Sequence, residues 1–288
     1  SFHDVIKSDV HGNYNGTMDL MRQVVQLHEY SNWGDPYSNR NQAVKYMISH
    51  DEQSVIQEMV VFNNFTIEEA RERDKFYANI LFTSLGIPML FQGQEFGFMS
   101  GWDDENNNGD YDEEKLQYRP IDWSLLDSEV GQSHLDHYSK LILFRKSNPA
   151  LYRGQFHDLY RYSNEKVIVY GYEDVFEQNN NNDQVVVIAN FSTMDQIISN
   201  IPFLSNGRWY DIFGSYTLDV NENSTYDEFD IPKKTAIIFS NRQWNLNVEN
   251  RKNVPEDYSY FSCYPNPFND HLMIKFSTFE DKEIKINI

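Results

Sequence analysis

The chain has 288 residues, a length that suits about two domains. Its 44 acidic residues outnumber 24 basic ones, giving a formal net charge of −20. That balance argues against nucleic acid or an anionic membrane as partner, since either needs a basic face. No apolar run approaches the ~20 residues of a membrane span, and the single cysteine, Cys263, rules out an intrachain disulfide.

Residues 1 to 31 read as helical, with Val5, Met18, Met21, Val24, Val25 and Leu27 as apolar positions and Gly12 and Gly16 interrupting them. A polar loop follows over 30–41. The apolar run 43–49 then stops abruptly at His50-Asp51-Glu52, which predicts a buried parallel strand delivering polar side chains at its C-terminal end. A helix is predicted over 67–85. Thr66 and Glu69 have the spacing of a capping box, and Ala70, Tyr77, Ile80, Leu81 and Ser84 form an inward stripe. Gly86 ends this helix and Pro88 prevents its continuation. A second strand over 87–92 leads to Gln94 and Glu95. Strand, helix, strand, with charge at each exit, is the layout of a (β/α)₈ barrel, whose chemistry lies on the C-terminal face.

Residues 101–117 form an acidic, Asn-rich loop, and a helix is predicted over 133–147, with Leu135, Tyr138, Leu141 and Ile142 inward and Pro149 as its stop. The period then changes to that of strands, at 166–172, 184–190, 196–201, 226–231 and 235–240, which suggests an antiparallel sandwich. The expected fold is thus α/β plus all-β. It comprises the C-terminal part of a (β/α)₈ barrel over 1–152, an antiparallel β-sandwich over 153–243, a linker over 244–260, and a truncated small β-sandwich over 261–288.

Several of these segments resemble the α-amylase superfamily, glycoside hydrolase family 13. The resemblance rests on His50-Asp51, on the run Gly86-Ile-Pro-Met-Leu-Phe-Gln-Gly-Gln-Glu-Phe-Gly97, on Pro120-Ile-Asp-Trp123, and on Leu143-Phe-Arg-Lys-Ser-Asn-Pro-Ala-Leu151. It covers roughly residues 1 to 240. It implies that Asp51 stabilises the transition state and that His50 hydrogen-bonds the same sugar. A carboxylate suits two hydroxyl donors in charge-assisted bonds, with an imidazole donor beside it. The alternative reading makes Asp51 a cap at a strand-to-helix turn. Glu52, Gln94 and Glu95 stand at the two strand exits as further sugar contacts, and Trp102 as a stacking platform, with burial at the rim as the competing reading.

Retaining glycoside cleavage needs two carboxyl groups about 5–5.5 Å apart, carried in this family on barrel strands four and five. No Gly-x-Arg-x-Asp segment, the usual carrier of the nucleophile, occurs here. The chain is therefore expected to be a fragment, with nucleophile and acid/base upstream, and to be inactive alone. The chemistry needs no cofactor. Asp104, Asn106, Asn108, Asp110 and Asp112, with Gly109 at the sixth position, have the register of a calcium loop, although Lys115 occupies the twelfth position where a bidentate Glu is usual. Structural calcium is thus the one metal the sequence suggests.

Three functions compete. One is an extracellular α-glucan hydrolase of amylase type. Another is a 1,4-α-glucan branching enzyme, which Ser49-His-Asp-Glu52 and Asp122-Trp-Ser-Leu-Leu126 also resemble. The third is a non-catalytic glucan-binding surface protein. The segment Cys263-Tyr-Pro-Asn-Pro-Phe-Asn269, followed by alternation at Leu272, Ile274 and Phe276, resembles the C-terminal sorting domain of type IX secretion cargo. That resemblance implies a partner in the type IX secretion machinery and an extracellular or cell-surface location, which favours the hydrolase. The other expected partner is an α-glucan polysaccharide or oligosaccharide.

Overall fold

A computed structural model describes residues 2–12, 21, 25, 42–102, 115–175 and 182–247, and the backbone of 260–264 and 273–277. The chain divides into two compact units, Ser1–Leu246 and Asn247–Ile288.

The first unit opens with helix α1, Phe2–Val10, which buries Phe2, Val5, Ile6 and Val10. Strand β1, Val44–Lys45, pairs in parallel with β2, Ile87–Pro88, with Val44 opposite Ile87 and Lys45 opposite Pro88. The direction is the one the sequence predicts, but each strand is two residues long rather than spanning 43–49 and 87–92. Pro88 contributes to this, because it has no N–H to extend the ladder. Ile87 N and Met89 N still donate to Ala43 O and Lys45 O, at 2.8 and 2.7 Å.

Between the strands lies a short helix α2, Val55–Gln57, which runs into a π-helical turn, Glu58–Phe62. Neither was foreseen. Helix α3, Ile67–Thr83, follows, with the capping box in place. Thr66 Oγ1 accepts from Glu69 N at 3.2 Å, and the Glu69 carboxylate accepts from Thr66 N at 3.0 Å. The predicted stripe is buried, and Asp74 lies on it as well. The carbonyls left open at the end of α3 are closed from another helix. Arg145 donates to Phe82 O at 2.6 Å, Ser84 O at 2.9 Å and Gly86 O at 2.7 Å.

Arg145 belongs to α4, Glu129–Ser147, which starts four residues before the predicted 133 because Ser128 caps it, accepting from Gly131 N at 3.0 Å. Its buried residues include His134, Tyr138, Leu141 and Phe144, whereas Leu135 and Ile142 are only half-buried. Helix α4 ends at Ser147, as the stop at Pro149 predicts, and Pro149 itself occupies the first turn of a further helix α5, Pro149–Arg153, capped by Asn148 Oδ1 on Ala150 N at 2.9 Å. Pro fits that position because the missing N–H would have had no partner there.

The remainder of the unit is antiparallel. A six-stranded sheet has the order β3-β4-β5-β10-β7-β8, formed by Gln155–Tyr162, Val167–Glu173, Gln184–Asn190, Thr235–Ser240, Gly207–Asp211 and Thr217–Val220. Strands β6, Gln196–Pro202, and β9, Thr225–Ile231, form a separate pair. Strands β3, β7 and β8 were not predicted. Strand β5 is buried throughout and β4 nearly so, which is why they read as continuous apolar runs. On one face Ile168, Tyr170, Val187, Ala189 and Ile238 join a core with Ile6, Tyr77, Leu81, Tyr138 and Phe144 from the helices. On the other, Val169, Ile188 and Phe239 pack with Ile198, Ile201, Phe229 and Ile231 of the β6–β9 pair and with Trp209.

The boundary expected at 152–153 thus falls inside a single unit, whose core runs across it. A buried ion pair crosses it too. Lys234 Nζ lies 2.9 and 2.8 Å from the two Asp9 oxygens, and Tyr77 O–H donates to the same carboxylate at 2.5 Å. The linker also starts later than Trp244. That indole donates to Ser240 Oγ at 3.0 Å and meets Phe144 edge-on, and Leu246 is buried. In the second unit β11, Tyr260–Tyr264, pairs antiparallel with β12, Met273–Ser277, placing Cys263 opposite Ile274.

Candidate active site

The exit of β1 passes from buried Met47 and Ile48 to an exposed turn in which the side chains of His50 and Asp51 are 79% and 72% accessible. His50 Nε2 stands 3.4 Å from Asp51 Oδ2. Asp51 N donates to Ser49 Oγ at 3.2 Å, which fixes the turn, and the exposed Asp51 carboxylate has Oδ2 beside the His50 ring. Glu52 is held from two sides, accepting from Ser49 Oγ and from the Tyr46 hydroxyl at 3.3 Å. Burial, and then the nearby Glu52 charge, raise the Tyr46 hydroxyl above its ordinary pKa, so it stays a donor. Helix α1 supports the turn from beneath: His3 Nδ1 lies 2.6 Å from Met47 O and its ring stacks on Tyr46. Glu52 is therefore a held carboxylate, whereas Asp51 is a presented one.

The two strand exits meet at their roots. Ser54 N donates to Ser100 O at 2.7 Å, and Ser100 N donates back to Ser54 Oγ at 3.1 Å. Gly101 permits this approach, since a Cβ there would lie 2.4 Å from Gln57 Cγ and 2.8 Å from Gln53 Oε1.

Gln94 is not an open sugar contact, and of the two readings of Trp102 the structure favours burial. Gln94 is buried, and its Nε2 donates to Tyr138 O–H at 3.1 Å and points to Met47 Sδ at 3.4 Å. It brackets β1, the loop after β2 and α4 from within, with no free amide left for a sugar. Trp102 is only 4% exposed, and the Arg119 and Lys115 cations lie over its ring at 4.9 and 5.9 Å. Its ring cannot act as an open platform while they cover it. Glu95 is half-buried in the 3₁₀ turn Gln94–Phe96. The exposed aromatics of this region, among the described residues, include Tyr118 and Trp123, the latter 62% accessible and tilted against Phe96 at 5.8 Å. Sequence reasoning used Trp123 as a motif position without reading it as surface; the polar Asp122 and Ser124 around it were the available signal.

A buried polar cluster supports the loop after β2. Tyr138 O–H donates to Asp74 Oδ2 at 2.6 Å, and His134 Nε2 stands 3.7 Å from the same oxygen, too far for a hydrogen bond. Burial pushes the Asp74 carboxyl up to about 7 and holds His134 down to about 3, with Lys75 adding to the latter. Arg71 Nε donates to Gly97 O at 3.2 Å beside them.

The calcium loop, Asp104, Asn106, Asn108, Asp110 and Asp112, lies outside the described residues. Among the described residues no three His, Cys, Asp or Glu side chains converge on a metal position.

No family model matches the chain. It is 24% identical over 179 residues to α-amylase 2 of Dictyoglomus thermophilum, a match covering 62% of this chain and 26% of that protein. Its fold is similar to that of a pullulanase from Anoxybacillus sp. LM18-11 solved with maltotetraose, with a TM-score of 0.54 at 20% identity over 84% of this chain and 34% of that one. It is similar also to an α-amylase from Geobacillus thermoleovorans solved with acarbose, with a TM-score of 0.53 at 15% identity over 85% and 47% of the two chains. The chain thus spans about a quarter of the curated relative and between a third and a half of these two structures. The sequence likeness is thus to an α-amylase, and the likeness to the two solved structures is one of fold.

Proposed function

We propose that this chain is the C-terminal part of an extracellular glycoside hydrolase of α-amylase type, acting with retention on α-1,4-glucosidic bonds. The observation that carries the reading is the β1 exit. A parallel strand presents His50 and Asp51 to solvent, and its turn is anchored to the loop after the neighbouring strand through Ser54 and Ser100. Asp51 accepts two sugar hydroxyls and favours the oxocarbenium-like ring, and His50 donates beside it. The 288 residues lack the Gly-x-Arg-x-Asp segment that usually carries the nucleophile, so alone they should release no reducing sugar from starch. In the longer protein Asp51→Asn lowers kcat by about 10²-fold or more with unchanged circular dichroism, since it removes an interaction strongest in the transition state. A near-wild-type rate would reduce Asp51 to a turn residue. Product analysis on amylose separates hydrolysis from branching: new reducing ends support the hydrolase, and new α-1,6 branches without them the transferase.

Residues 261–288, within the unit that begins at Asn247, are proposed as a type IX sorting domain. The support is the Tyr264-Pro-Asn-Pro-Phe-Asn269 segment between two antiparallel strands. Deleting everything after Tyr260 from the longer protein should leave the first unit folded and retain the enzyme in the cell envelope of a host with that machinery. Equal export of both forms would remove the localisation argument and, with it, the preference for hydrolase over branching enzyme.

A further inference from the structure

The turn after β1, residues 49–54, is held at both ends. Before it, the buried His3 ring donates from Nδ1 to Met47 O at 2.6 Å, since a carbonyl only accepts, and stacks on Tyr46. At its far end Ser54 and Ser100 exchange two hydrogen bonds. Between these anchors His50 and Asp51 stand in solvent, and Glu52 reaches back across the turn to Tyr46 and Ser49.

The direction of each bond around Glu52 follows from what the groups can give. The Tyr46 hydroxyl donates to Oε1 at 3.3 Å, and the Ser49 hydroxyl donates its one proton to Oε2. With that proton committed, the lone pairs of Ser49 Oγ point elsewhere, and Asp51 N donates to this oxygen at 3.2 Å. Glu52 thus sets the sense of the Ser49 hydroxyl, and Ser49 sets the backbone that carries the Asp51 carboxylate. Without Glu52 the hydroxyl is free to rotate, and its proton can turn towards Asp51 N.

We propose that Glu52 is a positioning residue, fixing through Ser49 the backbone at Asp51 and hence the place where the Asp51 carboxylate meets a sugar. The inference rests on the glucan reading of Asp51. A group whose interaction is strongest in the transition state loses rate when it is displaced by about 1 Å. The arrangement needs the two atoms at the end of the Glu52 side chain but not their charge. In Glu52→Gln the amide oxygen still accepts from Ser49, while the amide nitrogen donates to the Tyr46 oxygen. A residue that acted on the sugar through its charge would not tolerate that exchange.

Two measurements test this. In the 288-residue chain, amide exchange at Asp51, read by NMR, should be at least about fivefold faster in Ser49→Ala and in Glu52→Ala, the scale of one hydrogen bond, and close to wild type in Glu52→Gln. In the longer protein, Ser49→Ala and Glu52→Ala should each lower kcat on amylose about tenfold or more, with KM changed less than about twofold. The double variant should be no slower than either single one, because both changes break the same tether. Glu52→Gln should regain most of the loss. Unchanged exchange at Asp51 in Ser49→Ala, losses that multiply in the double variant, or Glu52→Gln as slow as Glu52→Ala would overturn the proposal. The last of these would put the Glu52 charge to work on the sugar itself. Asp51→Asn in the same protein separates this failure from that of the glucan reading. A slow Asp51→Asn beside a fast Glu52→Ala overturns the positioning role alone, whereas a fast Asp51→Asn overturns the reading of Asp51 and the positioning role with it.

Discussion

Asp74→Asn should make the protein more resistant to unfolding at pH 8 than at pH 5, relative to wild type. Asp74 is buried on the inward stripe of α3, accepts from Tyr138 O–H at 2.6 Å, and has its carboxyl pushed up to about 7 by burial. Its ordinary value is 3.8. Between those two values the native state holds a proton that the unfolded chain has released, so stability falls as pH rises through the window. With these values the loss is roughly 1.7 kcal/mol at pH 5 and roughly 4 kcal/mol at pH 8. An amide has nothing to ionise, and its oxygen still accepts from Tyr138. The variant's advantage should therefore grow by about 2–3 kcal/mol from pH 5 to pH 8. His134 and His137, both held down to about 3, lose protons on neither side of this comparison in the native state. Their unfolded-state titration is common to wild type and variant and cancels. Urea unfolding followed by tryptophan fluorescence at both pH values measures the difference. A difference between the two proteins that does not change with pH would refute the reasoning, because it would mean that Asp74 carries no displaced titration.

Other substitutions test single elements by the same unfolding assay. Gly131→Ala should destabilise by several kcal/mol, although Ala is favoured over Gly in a helix by about 1 kcal/mol, because its Cβ would lie 2.0 Å from Leu125 O. A gain in stability would show that this helix start is misplaced. Arg145→Gln should cost about 3 kcal/mol by opening three carbonyls at the end of α3, whereas the exposed neighbour change Lys146→Gln should be near neutral. Thr66→Ala should cost about 1 kcal/mol through the lost cap; equal stability would mean the box contributes nothing. Below pH 6.5 the wild type should weaken, since His134 and His137 stay neutral when folded and take up protons when unfolded, so stability is lost as pH falls from about 6.5 towards about 3. Replacing His137 with Asn should flatten part of that slope.

The parts of this molecule that were legible in the sequence are those decided locally. The capping box at Thr66 and the stripe through Ala70 and Tyr77 depend on residues three or four apart, and both are present as read. The parallel direction of the two strands was also readable from their apolar runs, but not their surroundings: Val44 and Ile87 are exposed rather than buried. What failed depended on distant partners. Gln94 and Trp102 look like site residues until Tyr138 and Arg119 are placed against them. Strand β3 carries His157, Asp158 and Arg161 and is mostly exposed or half-buried, so it lacks the apolar signal that made β4 and β5 plain. At the β1 exit the polar pair His50 and Asp51 was legible, but not the tethering of Glu52 by Ser49 and Tyr46, which is a matter of side-chain reach.

The pair between Asp9 and Lys234 joins positions 225 residues apart. A ribosome delivers the chain from the N-terminus, at about 5–20 residues per second. For the interval in which Lys234 is still unmade, Asp9 has no cation to accompany it into the interior, and an unpaired carboxylate resists burial. Helix α1 can therefore coil early but cannot settle, and its apolar side, Phe2, Val5 and Ile6, stays open to other chains until the β9–β10 turn has emerged. Variants that weaken the pair should show themselves first as poor yield and aggregation during synthesis, before any change is measurable in the finished protein.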